Sequence, residues 1–234
     1  MLQTLGAGAT PVFFNKVVAA TSKQLARWVE AMAAVTAPIG TSSVLRFAPA
    51  LERFAADIAG DEVLAVRVRA QHDNAGFQLP GRAWQDDPAC GGGTLVTIGV
   101  HAWEMVDVVS PGAELIAGAG WTRRRHDSGT RSEDVAGFSG MVRVGQVAIP
   151  VQVLVTGVAG PDAYGIEVVT AAGLRTLELA AEDANEALGF SGLARMLATE
   201  AAAHRAPAPW ATSAVIVGNT VRAAEIARGE TRAR

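Results

Sequence analysis

Apolar residues near the start of the chain recur every three or four positions, the spacing of a helix with one buried face. The stripe consists of Val18, Leu25, Trp28, Val29 and Met32. It predicts a helix over 15–36, with Asn15 as the N-cap. A second helix is predicted over 49–59, where Pro49 suits the first helical position. Both helices are expected to cover a more apolar layer.

From position 62 to position 170 the apolar period changes to two, which is typical of half-buried strands. The predicted strands are 62–70, 94–109, 114–125, 135–144, 147–158 and 164–170. Short turns join most of these segments, so they favour an antiparallel sheet, curved or partly closed, over a parallel one. Pro150 lies inside the fifth predicted strand and indicates an edge position or a bulge.

The helical period returns after Gly173, so helices are predicted within 174–229. No linker divides the 234 residues. The sequence therefore predicts a single α+β domain over 1–234. It contains an antiparallel sheet of about six strands, covered by N-terminal and C-terminal helices.

Composition and charge narrow the functional classes. Half of the residues are apolar and 18% are charged, which is a globular composition. Neither a membrane-length apolar run nor a signal-peptide pattern is found, and Cys90 is the single cysteine. A cytoplasmic protein without membrane association is expected. Arginine supplies 18 of the 20 basic residues, which suggests a bacterial gene of high GC content.

The segment from His72 to Gly93 is the first candidate for a functional site. Loops of this length inside a compact domain are usually functional or disordered. Arg82 and Trp84 are candidate binding residues, because Trp84 offers a large face to a ligand or a partner protein. The three consecutive glycines that end the segment permit close backbone approach. The alternative is a loop packed onto the sheet by its own apolar side chains.

The candidate catalytic residues are His72, His101, Glu104, Asp107 and Cys90. Cys90 could be a nucleophile if a histidine such as His72, His101 or His126 folded beside it. On the predicted strand, positions three apart point to opposite faces, so His101 and Glu104 are not expected to share a metal. No metal site and no cofactor are predicted. No nucleophile elbow, phosphate loop or dinucleotide fingerprint occurs in the required context.

The residues Arg123, Arg124, Arg125 and Arg131 form the dense basic cluster of the chain, beside Trp121. They could grip a phosphate, an acidic partner or nucleic acid. Asp127, Glu133 and Asp134 could also neutralise them locally. The formal net charge of −3 makes nucleic acid the least favoured of these partners.

Three functions remain open from the sequence. The favoured hypothesis is a non-catalytic protein-binding module, such as an assembly factor, a chaperone or a structural subunit. This hypothesis predicts a protein partner, and it allows a homo-oligomer. The second hypothesis is a small-molecule enzyme with an apolar pocket between the sheet and the helices. The third is a nucleic-acid binder that uses the arginine cluster.

Overall fold

A computed structural model describes residues 11–15, 18–73, 81, 83–127, 129–157, 160–180, 188–203, 205 and 210–230. The strands are β1 (Val12–Asn15), β2 (Ile39–Ser42), β3 (Val63–Gln71), β4 (Glu114–Arg123), β5 (Val135–Val144), β6 (Val147–Thr156), β7 (Ala163–Thr170) and β8 (Gly173–Ala180). The α-helices are α1 (Ser22–Ala33), α2 (Pro49–Asp57), α3 (Thr94–Thr97), α4 (Gly99–Val109), α5 (Phe190–Ala202) and α6 (Trp210–Ala227). Short 3₁₀ turns occupy Val44–Phe47, Ala83–Asp86 and Pro88–Cys90.

The main sheet has six strands in the order β4-β5-β6-β3-β7-β8. Every neighbouring pair is antiparallel except β3 and β6, which run parallel. The architecture is therefore α+β, as predicted, but the sheet is mixed rather than purely antiparallel. The order places β4 and β8 at open edges, so the described strands do not close into a barrel. A second, two-stranded sheet pairs β1 with β2 in parallel.

The predicted strand over 94–109 is wrong, because this segment forms helices α3 and α4. All residues of α4 except Val108 are buried. The helix lies between the sheet on one side and α2, α6 and the 3₁₀ turn at Val44–Phe47 on the others. Its ionisable residues His101, Glu104 and Asp107 recur at helical spacing, but all three are buried, and the surrounding apolar run is equally typical of a buried strand.

Three other local predictions are corrected by the structure. The segment after Gly173 forms strand β8 paired with β7, not a helix. Helix α1 begins at Ser22, and the Thr21 side chain accepts the capping hydrogen bond; Asn15 lies in β1. Pro150 is in β6, an interior strand. It is compatible there because the pairing register with β3 begins at Val151, one residue further along.

Several predictions are confirmed. The β5–β6 hairpin forms as expected, and Ile149, Val151, Val153 and Val155 alternate with exposed neighbours along β6. Their side chains join Val66, Val68 and Ala70 of β3 on the inner face of the sheet. This face packs on α4, so the core lies between the sheet and a fully buried helix. Within the described residues, no helix is long and apolar enough to cross a membrane.

Candidate active site: a cavity beside the buried helix

A cavity of about 530 Å³ opens beside the buried helix, within the size range of small-molecule sites. The described part of its wall is formed by 18–20, Gln24 of α1, Val44, the residues that follow β3, the 3₁₀ turns over 84–91, the junction of α3 and α4, the start of β7, and 188–190. His72, Trp84, Cys90 and His101, four of the residues selected from the sequence, line it together.

His101 is the most enclosed ionisable residue of the cavity wall, with 3% of its surface exposed. Its Nδ1 lies 2.9 Å from Oγ of Ser43, and its ring centroid lies 5.5 Å from that of Tyr164. Ser43 is fixed in turn, because its Oγ accepts a hydrogen bond from the amide of Leu45. The imidazole is therefore held from two sides while it faces the cavity.

Tyr164 is the second buried polar residue of this wall. Burial raises the pKa of its hydroxyl above the usual range, and the charge of Asp162 adds to the shift. Tyr164 therefore stays protonated at neutral pH and can donate a hydrogen bond there. The neighbouring imidazole of His101 is a side chain type that can accept a proton near neutral pH.

His72 and Asp162 form a second pair on the cavity wall. Nδ1 of His72 lies 3.4 Å from Oδ1 of Asp162 and 3.1 Å from the backbone oxygen of Asp73. His72 follows β3 and Asp162 precedes β7, and these strands are neighbours in the sheet. The antiparallel pairing of β3 with β7 therefore brings the two residues together.

Glu104 and Asp107 do not line the cavity. Both are buried, and both pair with Arg46 from the 3₁₀ turn: Glu104 contacts its Nε, and Asp107 lies 2.5 Å from its Nη2. Desolvation lowers the pKa of Arg46, but the two carboxylates outweigh it and leave the pKa raised. Glu104 also accepts the backbone amide of Ser43 at 3.2 Å. These carboxylates anchor the turn that holds His101.

The argument against a metal shared by His101 and Glu104 assumed a strand, and it is corrected because the two residues lie on helix α4. Positions three apart lie on the same side of a helix, not on opposite faces. Nevertheless, Glu104 turns to Arg46, whereas His101 faces Ser43 and Tyr164. Among the described residues, no group of three or more His, Cys, Asp or Glu side chains could hold a metal ion.

Trp84 and Cys90 lie on the 3₁₀ turns at the rim of the cavity, where Trp84 is 50% exposed. The hydrogen bond from Cys90 to Asp87 raises the pKa of the thiol, which disfavours the thiolate that a nucleophile requires. Gly91 and Gly93 adopt positive φ angles of 89° and 97°. Arg82 lies outside the described residues.

Replacing Gly91 by Ala should destabilise the rim of the cavity. A Cβ atom at Gly91 would lie 2.6 Å from Cβ of Ala20, and the φ of 89° adds strain of about 1–2 kcal/mol. Gly81 is a matched control, since its φ is 84° and its Cβ would meet nothing within 4 Å. We expect G91A to lower the free energy of unfolding in urea more than G81A does. Equal losses would show that the contact with Ala20 is unimportant.

The arginine cluster lies apart from the cavity, at the end of the edge strand β4. Arg125 contacts Asp134 through its amide at 2.6 Å, and Arg131 contacts Asp86 through its amide at 2.8 Å. Nη1 of Arg131 also lies 3.4 Å from Asp87. Of the acidic residues expected to neutralise the cluster, Asp134 lies 3.7 Å from Nε of Arg125, whereas Glu133 pairs with Arg228. Trp121 is 51% exposed in β4, near the cluster.

Sequence reasoning did not select Ser43, Arg46, Asp162 or Tyr164 as site residues. Arg46 carried a weak signal, because it interrupts the apolar run Val44–Phe47. Tyr164 carried another, because the single tyrosine of the chain occupies an inward position of a strand. Ser43 and Asp162 carried none, since their roles come from contacts with residues 58 and 90 positions away.

Comparison with solved structures identifies the fold. GenD2 from gentamicin A biosynthesis, in complex with NAD, superposes with a TM-score of 0.78 at 18% identity, over 100% of this chain and 73% of that one. A myo-inositol dehydrogenase from Corynebacterium glutamicum gives 0.75 at 8% identity, over 98% and 75%. D-galactose-1-dehydrogenase from Rhizobium etli gives 0.65 at 21%, over 93% and 70%. The chain therefore shares the fold of these segments of the three proteins.

No protein-family model matches this chain, and no curated protein matches it by sequence. The structural neighbours nevertheless correct the favoured function. The hypothesis of a non-catalytic protein-binding module is wrong, because the proteins that share this fold are named as dehydrogenases or were solved in complex with NAD. The alternative, a small-molecule enzyme with a pocket between sheet and helices, fits these findings better.

Some of the structural neighbours were solved in complex with NAD, which is a dinucleotide. A pyrophosphate site needs a glycine-rich turn between a parallel strand and a helix. Residues 16–21, which connect β1 to α1, contain no glycine. The run Gly91–Gly93 follows a 3₁₀ turn, and its last two glycines adjoin Trp84, Gln85 and Arg228, which fill the space a phosphate would need. The described residues therefore do not fit a bound pyrophosphate.

Proposed function

We propose that this protein is an enzyme that binds a small hydroxylated molecule, of the sugar or polyol class, in the cavity beside α4. The observation that carries the proposal is the geometry of His101, which is buried in the cavity wall between the Ser43 hydroxyl and the Tyr164 ring. The proposal includes a cytoplasmic location, which the single exposed thiol of Cys90 supports.

His101 is proposed to exchange a proton with a substrate hydroxyl group. A neutral imidazole has one donor nitrogen and one acceptor nitrogen, so a hydrogen bond at Nδ1 fixes the role of Nε2. Tyr164 is suited to donate a hydrogen bond to a substrate oxygen, because its raised pKa keeps it protonated. His72 and Asp162 supply further polar contacts on the same cavity wall.

The substrate class is supported by the lining and by the neighbours. The lining alternates polar side chains such as Thr97 and Gln24 with apolar ones such as Val96 and Leu188. This mixture suits a molecule that has both hydroxyl groups and C–H faces. The neighbours named as myo-inositol and D-galactose dehydrogenases act, by name, on such molecules.

Ligand binding can be tested through Cys90, the single cysteine of the chain and a residue of the cavity wall. We expect myo-inositol or D-galactose at saturating concentration to slow alkylation of Cys90 and to raise the melting temperature. Alkylation should be followed by intact-protein mass spectrometry at mildly alkaline pH, because the thiolate is the reactive form. The denatured chain, which has no cavity, is the control for direct effects of the sugar on the reagent.

If neither compound changes the labelling rate or the melting temperature, the assignment to sugars and polyols is contradicted. If labelling slows in the folded and the denatured chain alike, the sugar acts on the reagent, and that result also contradicts binding in the cavity.

A further inference from the structure

The charge and aromatic content of the cavity wall indicate which hydroxylated molecules fit. Among the described lining residues, the charged side chains are two carboxylates, Asp73 and Asp162. In addition to the buried Tyr164, the aromatic side chains of Trp84 and Phe190 line the cavity, and each of these two is about half exposed. Carboxylates and exposed aromatic faces are the groups that bind organic cations.

The hydrogen bonds of His72 indicate which groups the His72–Asp162 pair offers to a ligand. Nδ1 of His72 faces two acceptors, Oδ1 of Asp162 and the backbone oxygen of Asp73. Nδ1 must therefore carry a proton to bond with either oxygen. In the neutral imidazole the other nitrogen, Nε2, is then an acceptor. This pair consequently offers a carboxylate and an acceptor nitrogen, and both can accept hydrogen bonds from a ligand.

Three kinds of substituent can be compared with this acceptor-rich wall. A hydroxyl group supplies one donor and no charge, whereas a carboxylate or a phosphate supplies only acceptors and a negative charge. A protonated amine supplies three donors and a positive charge. The positive charge also interacts favourably with the face of a tryptophan such as Trp84.

We propose that the ligand of the cavity is a hydroxylated molecule with a protonated amine, such as an amino sugar or an aminocyclitol. Asp162 binds the ammonium group, and the faces of Trp84 and Phe190 lie along the rim that the cation passes. This inference rests on the proposed function, since it names a narrower ligand class for the same cavity.

The test is a set of four ligands that share one ring and differ in one substituent. Binding of D-galactosamine, N-acetyl-D-galactosamine, D-galactose and D-galacturonate should be measured by isothermal titration calorimetry at low salt. We expect galactosamine to bind about tenfold tighter than galactose, which is the combined effect of a partly screened ion pair and a cation–π contact. Acetylation removes the charge and should remove this advantage, and galacturonate should bind weakest.

Variants test whether Asp162 causes the preference for galactosamine over galactose. D162N should weaken binding of galactosamine about tenfold more than it weakens binding of galactose. D57N is the matched control, because Asp57 is exposed on α2, outside the cavity, and its replacement changes the net charge equally. Added salt should weaken binding of galactosamine but not of galactose.

The outcomes separate this inference from the proposed function. If galactose binds as tightly as galactosamine, or if D162N weakens both equally, the amine proposal is overturned while the sugar-binding function stands. If galacturonate binds tightest, the cavity recognises anions and the amine proposal is again overturned. If no member of the set binds, both the amine proposal and the sugar-binding function are contradicted.

Discussion

Replacing His101 by Asn should reduce turnover of a bound substrate by about 100-fold or more, because positioned acid–base groups contribute about 10²–10⁴ to the rate. Asparagine keeps a polar side chain that can contact Ser43 but cannot exchange a proton near neutral pH. The dissociation constant should change much less than the turnover rate. His101 has 3% of its surface exposed, so its replacement must also be checked for folding by circular dichroism.

The Cys90 alkylation assay first identifies a ligand. Consumption of that ligand by the enzyme is then monitored by mass spectrometry, with and without added NAD. H126N is the matched control, because His126 is exposed in the loop after β4, outside the cavity, and should leave turnover unchanged. If H101N turns over within a few-fold of the original protein, His101 is not the acid–base group. A fall in both variants would contradict the specific role of the cavity.

Replacing Arg46 by Met should destabilise the fold by about 3–5 kcal/mol, since removing one partner leaves buried charges uncompensated. The side chains of Glu104 and Asp107 expose 1% and 3% of their surface, and both are paired with Arg46. Glu104 also accepts a hydrogen bond from the amide of Ser43, and Asp107 accepts one from the amide of Gly112. These neutral donors cannot replace a positive charge.

The R46M deficit should depend on pH in a defined direction. Without Arg46, the folded variant buries two carboxylate charges that have lost their positive partner, whereas water solvates them in the unfolded chain. Acidification neutralises carboxylates and so reduces this penalty. The difference from the original protein should therefore be larger at neutral pH than in mildly acidic solution. Urea unfolding at the two pH values measures it.

Arg143 provides the matched control for Arg46. It pairs with Glu114 at 3.3 Å, but both side chains are more than half exposed, so R143M should cost less than about 1 kcal/mol. Equal losses for R46M and R143M would show that the buried network contributes no more than a surface pair. A loss for R46M that grows on acidification would contradict the sign derived above.

The sequence predicted those elements whose one face is buried and whose other face is in water. Strands β5 and β6 were identified because Ile149, Val151, Val153 and Val155 alternate with exposed neighbours. Helix α2 was identified through its amphipathic stripe and Pro49. The candidates His72, Trp84, Cys90 and His101 do line one cavity, although they were selected by chemical type and by position in a long segment.

The tertiary structure determined the features that the period of apolar residues does not encode. Helix α4 is buried on all sides, and the apolar run around its buried ionisable residues is as typical of a buried strand as of a buried helix. The parallel pairing of β3 with β6 joins segments about 85 residues apart, and no local turn encodes it. Ser43 meets His101, and Arg46 meets Glu104, across 58 positions for the same reason. Local periodicity thus determined the faces of single elements, whereas long-range packing determined which polar residues meet.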